Sequence, residues 1–256
     1  MQEFNSFENE WVVYFGGYGR QKIISHLREK NLNIVRCFVP MNMNENLKKT
    51  VEQLKECLPS IAEISCENLE SSLNGIDECS ILSIGFPFKI PLTILQKAKV
   101  ALNVHPSLLP NYRGPHPFFY ILENNEKFTG STVHFMTDKI DHGGIVLQNH
   151  IELTPFDTYR SIRRKTFDAE PELVFNALSQ IDLNRKLKIP SDANNLTYAK
   201  RRTPSDSEIN PNLPLMDLIN KIRACDIDEF PAFFMYEGER VYLRLFRIKN
   251  SEDDFL

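Results

Sequence analysis

Between Trp11 and Val104, short apolar runs alternate with segments whose apolar residues recur at helical spacing, and this alternation narrows the fold further than any other feature. Trp11–Phe15 reads WVVYF, rich in β-branched and aromatic residues, and is stopped by Gly16, Gly17 and Gly19. That is the pattern of a buried strand. Residues 20–29 then carry Ile23, Ile24 and Leu27 on one helical stripe. Strand signals return at 33–39, 78–84 and 99–104, with helical stretches at 44–57 and 92–97 between them. Strands alternating with helices predict a Rossmann-like α/β core, with a mostly parallel sheet covered on both faces.

Beyond residue 105 the pattern changes. Strand signals at 131–136 and 145–151 flank a turn containing Asp141, Gly143 and Gly144. Thr154, followed by Pro155 and by Asp157 three residues on, predicts a helix start, with the helix running to about Ile181. Its Arg160, Arg163 and Arg164 read as a solvated face. Residues 184–214 lack periodicity and hold Pro190, Pro204, Pro211 and Pro214; irregular stretches of that length are uncommon unless functional or disordered. Leu215–Ala224 reads as a helix, and 232–236 with 240–246 flank Glu237, Gly238 and Glu239 as a β-hairpin. The division expected is a core over 1–183 and, over 184–256, an irregular segment, a helix and the hairpin. The hairpin is apolar (Phe233, Phe234, Tyr236, Val241, Tyr242, Leu243, Leu245, Phe246), so it should pack on the body or on a second subunit.

Charge and composition exclude several classes. With 30 basic and 34 acidic residues the chain lacks the basic excess of a nucleic-acid binder. No apolar run approaches the roughly 18 residues of a membrane span. The opening MQEFNSFENE is acidic and polar, unlike a signal or transit segment, so a cytoplasmic location is expected. The five cysteines are spread out without a CxxC pair; they read as reduced thiols packed as small core hydrophobes. Zinc would need clustered ligands, and no metal site is expected. Trp11 reads as core packing.

Chemistry concentrates at the end of the strand at 99–104. Asn103 and His105 are two residues apart, so their side chains point the same way. They stand at the carboxyl end of a parallel strand, where open α/β sheets place their ligands. An amide and an imidazole there can hold an oxyanion and move a proton. Pro106, Pro110 and Gly114 shape the loop that follows. A carboxylate from the turn at 138–144 could orient His105, and Asp141 is preferred to Asp138 because it lies nearer the glycines. His134, on a neighbouring strand, reads as a hydrogen-bonded core residue.

HPSLLPNYRG at 105–114, followed by KIDHGGI at 139–145, resembles the signature of the N10-formyltetrahydrofolate-dependent formyltransferases. The resemblance implies a formyltransferase fold and a catalytic set of Asn103, His105 and Asp141. It places the folate cosubstrate against Phe86, Phe88, Lys89, Ile90 and Pro91, with Asp138 beside it. YRGPHPFFYIL, LTYAKRRTPSDSEIN and the terminal hairpin are similar to the sugar N-formyltransferases, which act on nucleotide-linked 3- or 4-amino dideoxysugars. That implies a nucleotide-sugar partner, a homodimer through the hairpin and a role in bacterial surface polysaccharide such as O-antigen. On this reading Gly17, Tyr18, Tyr112, Arg113, His116, Lys200 and Arg201 face the sugar nucleotide, with the basic side chains near its diphosphate. Methionyl-tRNA and glycinamide ribonucleotide formyltransferases are alternatives. The tail is too short for the tRNA-holding barrel of the first and unaccounted for in the second. A non-catalytic folate- or nucleotide-binding relative is the remaining one.

Overall fold

The computed structural model describes residues 5–58, 60–76, 78–181 and 198–246. Five parallel strands come first: β1 (Trp11–Phe15), β2 (Ile34–Pro40), β3 (Ile61–Ile64), β4 (Ser80–Ile84) and β5 (Ala101–His105). They are joined by α1 (Gln21–Glu29), α2 (Glu45–Lys55) and the short α3 (Leu92–Leu95). After β5 come α4 (Pro117–Glu123), β6 (Phe128–Thr129), β7 (Thr132–Phe135), β8 (Ile145–Gln148), β9 (Ile151–Glu152) and the long α5 (Tyr159–Ser179). The central sheet has the order β3-β2-β1-β4-β5-β7-β8, with β7 and β8 antiparallel to their neighbours. β6 and β9 form a separate two-stranded ladder.

β1 shows why the alternation was legible. All five of its side chains are fully buried. Trp11, Val13 and Phe15 join a core with Ile23, Ile24 and Leu27 of α1, Val51 and Leu54 of α2, and Val174 and Leu178 of α5. Val12 and Tyr14 enter the opposite layer with Phe38, Ile81, Ile90 and Ile94. The chain reverses direction across the sheet between β1 and β4, which makes their carboxyl ends the topological switch point where such sheets form a crevice.

A third core holds the tail to the body. Tyr112, Phe118, Phe119 and Leu122 pack with Ile209, Ala224 and Ala232, so α4 lies against α6 (Leu215–Ala224). The closing hairpin, β10 (Phe233–Tyr236) with β11 (Glu239–Tyr242), is fastened by Ile209 N–H to the Phe233 carbonyl at 2.7 Å and Leu243 N–H to the Ala232 carbonyl at 2.8 Å. Beyond Phe233 it presents Met235, Tyr236, Val241 and Tyr242 outward.

Several local expectations change. The cap of α5 is Thr158, not Thr154: Thr158 and Ser161 form a reciprocal capping box. Thr154 instead closes a turn by donating its backbone N–H to Asp157 at 2.7 Å. The segment expected as one strand over 145–151 is split between β8 and β9, which serve different sheets. β3 and α4 had no clear signal, β3 being short and α4 starting at Pro117 inside a proline-rich loop. Cys37, Cys79 and Cys225 are buried as expected, whereas Cys57 is half-buried and Cys66 exposed. The proposed boundary at 183 lies outside the described residues.

Candidate active site

β5 delivers its last residues to the switch-point side of the sheet, and the loop 105–116 then folds back over them. Within that loop Tyr112 (φ 58°), Gly114 (φ 95°) and His116 (φ 58°) are all left-handed. Left-handed backbone in non-glycine residues persists only where surrounding contacts over-determine it. Here the anchors are visible. Tyr112 donates its hydroxyl to Glu126 at 2.5 Å and receives Asn124 at 3.1 Å, which fixes the ring inside the third core. Its carbonyl is thereby presented to His105, accepting from Nε2 at 2.8 Å.

The other ring nitrogen of His105, Nδ1, faces Asp141 Oδ2 at 3.5 Å. Asp141 is itself left-handed (φ 56°) and buried. It accepts the Gly114 N–H at 2.9 Å, and its carbonyl takes Arg113 Nε at 3.1 Å. Arg113 also donates to His142 at 3.1 Å, so its buried side chain props the aspartate turn. Burial alone would raise the Asp141 carboxyl, but His105, His134 and the Gly114 amide outweigh it and hold the group well below the usual carboxylate range. Burial pushes His105 down from its ordinary value, opposed by Asp141 and the Tyr112 carbonyl. The outcome is a neutral imidazole beside a carboxylate, with an acceptor oxygen waiting at each nitrogen.

Asn103 lies opposite His134 in the β5–β7 register, and its Nδ2 donates to His134 Nε2 at 3.1 Å and to Asp141 Oδ1 at 3.4 Å. His134 donates Nδ1–H to the Phe135 carbonyl at 2.8 Å, which leaves Nε2 as the acceptor. Reading the sequence left this histidine in the core. It is buried, but it also lines the site, and the signal that would have found it is its cross-strand pairing with Asn103.

These groups open onto a cavity of about 490 Å³ at the switch point. Phe86, Pro87, Phe88, Lys89 and Ile90 line one part, with Met136, Thr137, Lys139 and Ile140. Phe86 meets Tyr14 and Phe88 edge-on at centroid distances of 5.3 and 5.4 Å, giving an apolar aromatic wall. A flat heteroaromatic ring system with a polar edge fits such a wall beside the Asn103 amide. Pro91 and Asp138 do not line the cavity. Elsewhere the lining includes Gly17, Tyr18, His116, Tyr198, Arg201 and Arg163. Of the seven expected sugar-side residues, Gly17, Tyr18, His116 and Arg201 therefore reach it. Tyr112 and Arg113 serve His105 and Asp141 from behind, and Lys200 is exposed and does not line the cavity. Arg163 is no solvated residue: its guanidinium stacks on Tyr18 at 3.9 Å and donates to the Tyr18 carbonyl at 2.8 Å. Arg202, next to Arg201, is buried against Phe119 at 3.5 Å. Burial, with Arg202 and Arg201 nearby, lowers His116. Among the described residues no cluster of His, Cys, Asp or Glu could hold a metal ion.

The family model described as "Formyl transferase" matches residues 80–178, the stretch that contains Asn103, His105 and Asp141, and so bears out the family resemblance. A 4-N formyltransferase from Francisella tularensis superposes with a TM-score of 0.73 at 18% identity, over 94% of this chain and 98% of that one. A sugar N-formyltransferase from Shewanella sp. gives 0.71 at 19% identity, over 92% and 96%. HypX from Aquifex aeolicus, solved with tetrahydrofolic acid, gives 0.67 at 15% identity, over 95% of this chain but 40% of that one. The chain has the formyltransferase fold, with the β10–β11 hairpin added at its end.

Proposed function

We propose that this chain transfers a formyl group from N10-formyltetrahydrofolate to the amino group of a nucleotide-linked 3- or 4-amino dideoxysugar. The observation that carries the reading is the convergence of half-buried Asn103 with buried His105 and Asp141 at the switch-point cavity, with His105 neutral and flanked by two acceptors. When bound, the folate cosubstrate supplies an activated formyl carbon. Phe86, Phe88, Lys89 and Ile90 would hold its ring system and leave the formyl group beside Asn103. The Asn103 amide, closely held only by His134, turns its second N–H from Asp141 to the formyl oxygen, where negative charge develops. With Nε2–H committed to the Tyr112 carbonyl, Nδ1 of His105 takes the proton from the attacking amine. Asp141 stabilises the imidazolium, which then returns the proton to the departing N10. Acid–base help of this kind contributes about 10²–10⁴-fold.

Sugar acceptors are favoured by the likeness to a sugar N-formyltransferase over nearly the full length of both chains. The guanidinium of Arg201 at the cavity, without a partner among the described residues, suits a diphosphate. His116 and Tyr18 complete that side. On this reading the enzyme works in the cytoplasm as a homodimer through its hairpin, and its product enters a bacterial surface polysaccharide. The test is a panel of dTDP-, UDP- and GDP-linked 3- and 4-amino sugars with N10-formyltetrahydrofolate, read as formamide product by mass. Formylation of initiator methionyl-tRNA or glycinamide ribonucleotide, with no sugar modified, would replace the reading. Saturable folate binding without transfer to any amine would make the chain a binding module.

A further inference from the structure

Arg20 occupies the N-cap of α1, where Asn, Asp, Ser and Thr are favoured and the helix dipole opposes a cation. Its side chain makes no capping bond and is only 2% exposed. Helix formation does not explain it. Its Nε and Nη2 donate to Oε2 and Oε1 of Glu170 on α5, both at 2.7 Å, and Glu170 is fully buried. Ser131 donates to the same Oε1 at 2.7 Å. Nη2 reaches further, to the Val104 carbonyl at 3.1 Å. Val104 lies between Asn103 and His105. The guanidinium rests on Phe167 at 5.1 Å, and Nη1, with no acceptor among the described residues, adjoins the cavity that Arg20 lines.

The glycine loop is shaped around this side chain. A Cβ on Gly17 would come within 2.7 Å of Arg20 Cδ, and one on Gly85 (φ 60°) within 3.3 Å of Nη1. A buried ion pair is a poor device for stability, since apolar side chains of similar size often do as well or better. Its geometry is another matter. A guanidinium held by a bidentate carboxylate is a rigid fork, and its remaining donor is fixed in direction.

We propose that Arg20, clamped by Glu170, is a positioning residue for the catalytic strand: it fixes the Val104 carbonyl and so the directions in which Asn103 and His105 leave β5. Displacements of about 1 Å at a reacting group cost about 10²-fold in rate. Burial chiefly lowers the proton affinity of His105, which is faced by Asp141 from the aspartate turn, His134 from β7 and, as a lesser influence, Arg20 from α1.

The turnover part of the test rests on the formyl-transfer reading; the spectroscopic part does not. In R20M/E170M both charges leave together and apolar chains refill the space, so the protein should remain folded. The expected result is a kcat about 10²-fold lower with little change in KM for the formyl donor. Histidine NMR, with His105 assigned through H105Q, should show its Nδ1/Nε2 tautomer signals moved from those of the parent, because a shifted Val104 carries His105 away from the Tyr112 carbonyl. R20K keeps the charge but not the fork, and should lose about tenfold in kcat while its unfolding midpoint stays near that of the parent. Parent-like kcat in these variants overturns the proposal and leaves the pair as mere packing. If the parent transfers formyl to no amine, the functional reading fails instead. The NMR tautomer signals then decide alone, and parent-like His105 signals in R20M/E170M overturn the role of Arg20. Should R20M/E170M not fold, R20K decides through kcat, or in an inactive parent through its His105 tautomer signals, parent-like values overturning the proposal.

Discussion

The end of β5 and the β10–β11 hairpin are both short strand pieces, yet they treat solvent in opposite ways. At β5 the side chains of His105, His134 and Asp141 are buried and bonded to one another or to fixed carbonyls. At the hairpin, Tyr236 and Tyr242 are about 60% exposed, and β10 pairs only with β11 in its sheet. Polar groups removed from water must find partners, so the first region tolerates one arrangement. The second carries apolar surface that none of the described residues covers, and among them its backbone bonds to the body are confined to the Phe233 end.

The comparison breaks most easily at His105. H105A should lower kcat by about 10²–10⁴-fold while the protein stays folded, read by single-turnover formylation beside circular dichroism; near-parent turnover would remove the acid–base role. Next comes G143A. A Cβ there would lie against the Phe135 carbonyl oxygen, which is backbone and cannot swing away. The turn carrying Asp141 must shift, and a stability loss of about 3 kcal/mol with reduced kcat is expected from denaturant unfolding and turnover; a parent-like midpoint would mean the loop is looser than its packing implies.

Acidification should act on the buried region alone. His105 lies below its unfolded value, so the unfolded state takes up a proton first and stability begins to fall as pH drops below about 6.5. Asp141 is also depressed, so its contribution is present above about pH 4 and is lost below it. Urea midpoints from pH 7.5 to 3.5 should show both declines, and H105Q should reduce the first, leaving the part that His116, also lowered by burial, contributes. Smaller effects belong to the rim. R201A should raise KM for the nucleotide sugar about tenfold, and K200A, whose side chain is outside the cavity, less than about twofold. Least affected should be Y236S/Y242S, with unfolding free energy within about 0.5 kcal/mol of the parent and the same kcat. Its mass in solution, by light scattering, should fall from dimer to monomer; a parent that is already monomeric ends the dimer reading.

The core was legible because burial on both faces of a parallel sheet leaves a simple trace, as in Trp11–Phe15. The Asn103–His105 pair was legible through strand periodicity at a sheet end. Tyr112 and Arg113 were not. A motif letter does not say whether a side chain meets ligand or, as here, lends its carbonyl to His105 or props Asp141 from behind. His134 escaped because its role depends on which strand lies beside β5, and that is a long-range fact. Gly17 was expected to face the sugar nucleotide; it does line the cavity, but a side chain there would also strike Arg20, a constraint that no motif showed.

The segment that returns from the tail is laid directly on the catalytic loop. Ala199 N–H donates to the Arg113 carbonyl at 2.8 Å, and a Cβ on Gly114 would strike the Ala199 carbonyl and the Tyr198 ring. Anyone grafting a tail from another relative to change the acceptor would therefore also be re-seating the loop that holds His105. Chimeras joined beyond residue 209 keep this seam intact, whereas a crossover just before Tyr198 cuts through it. The tail and the loop that seats His105 are in this chain inherited together.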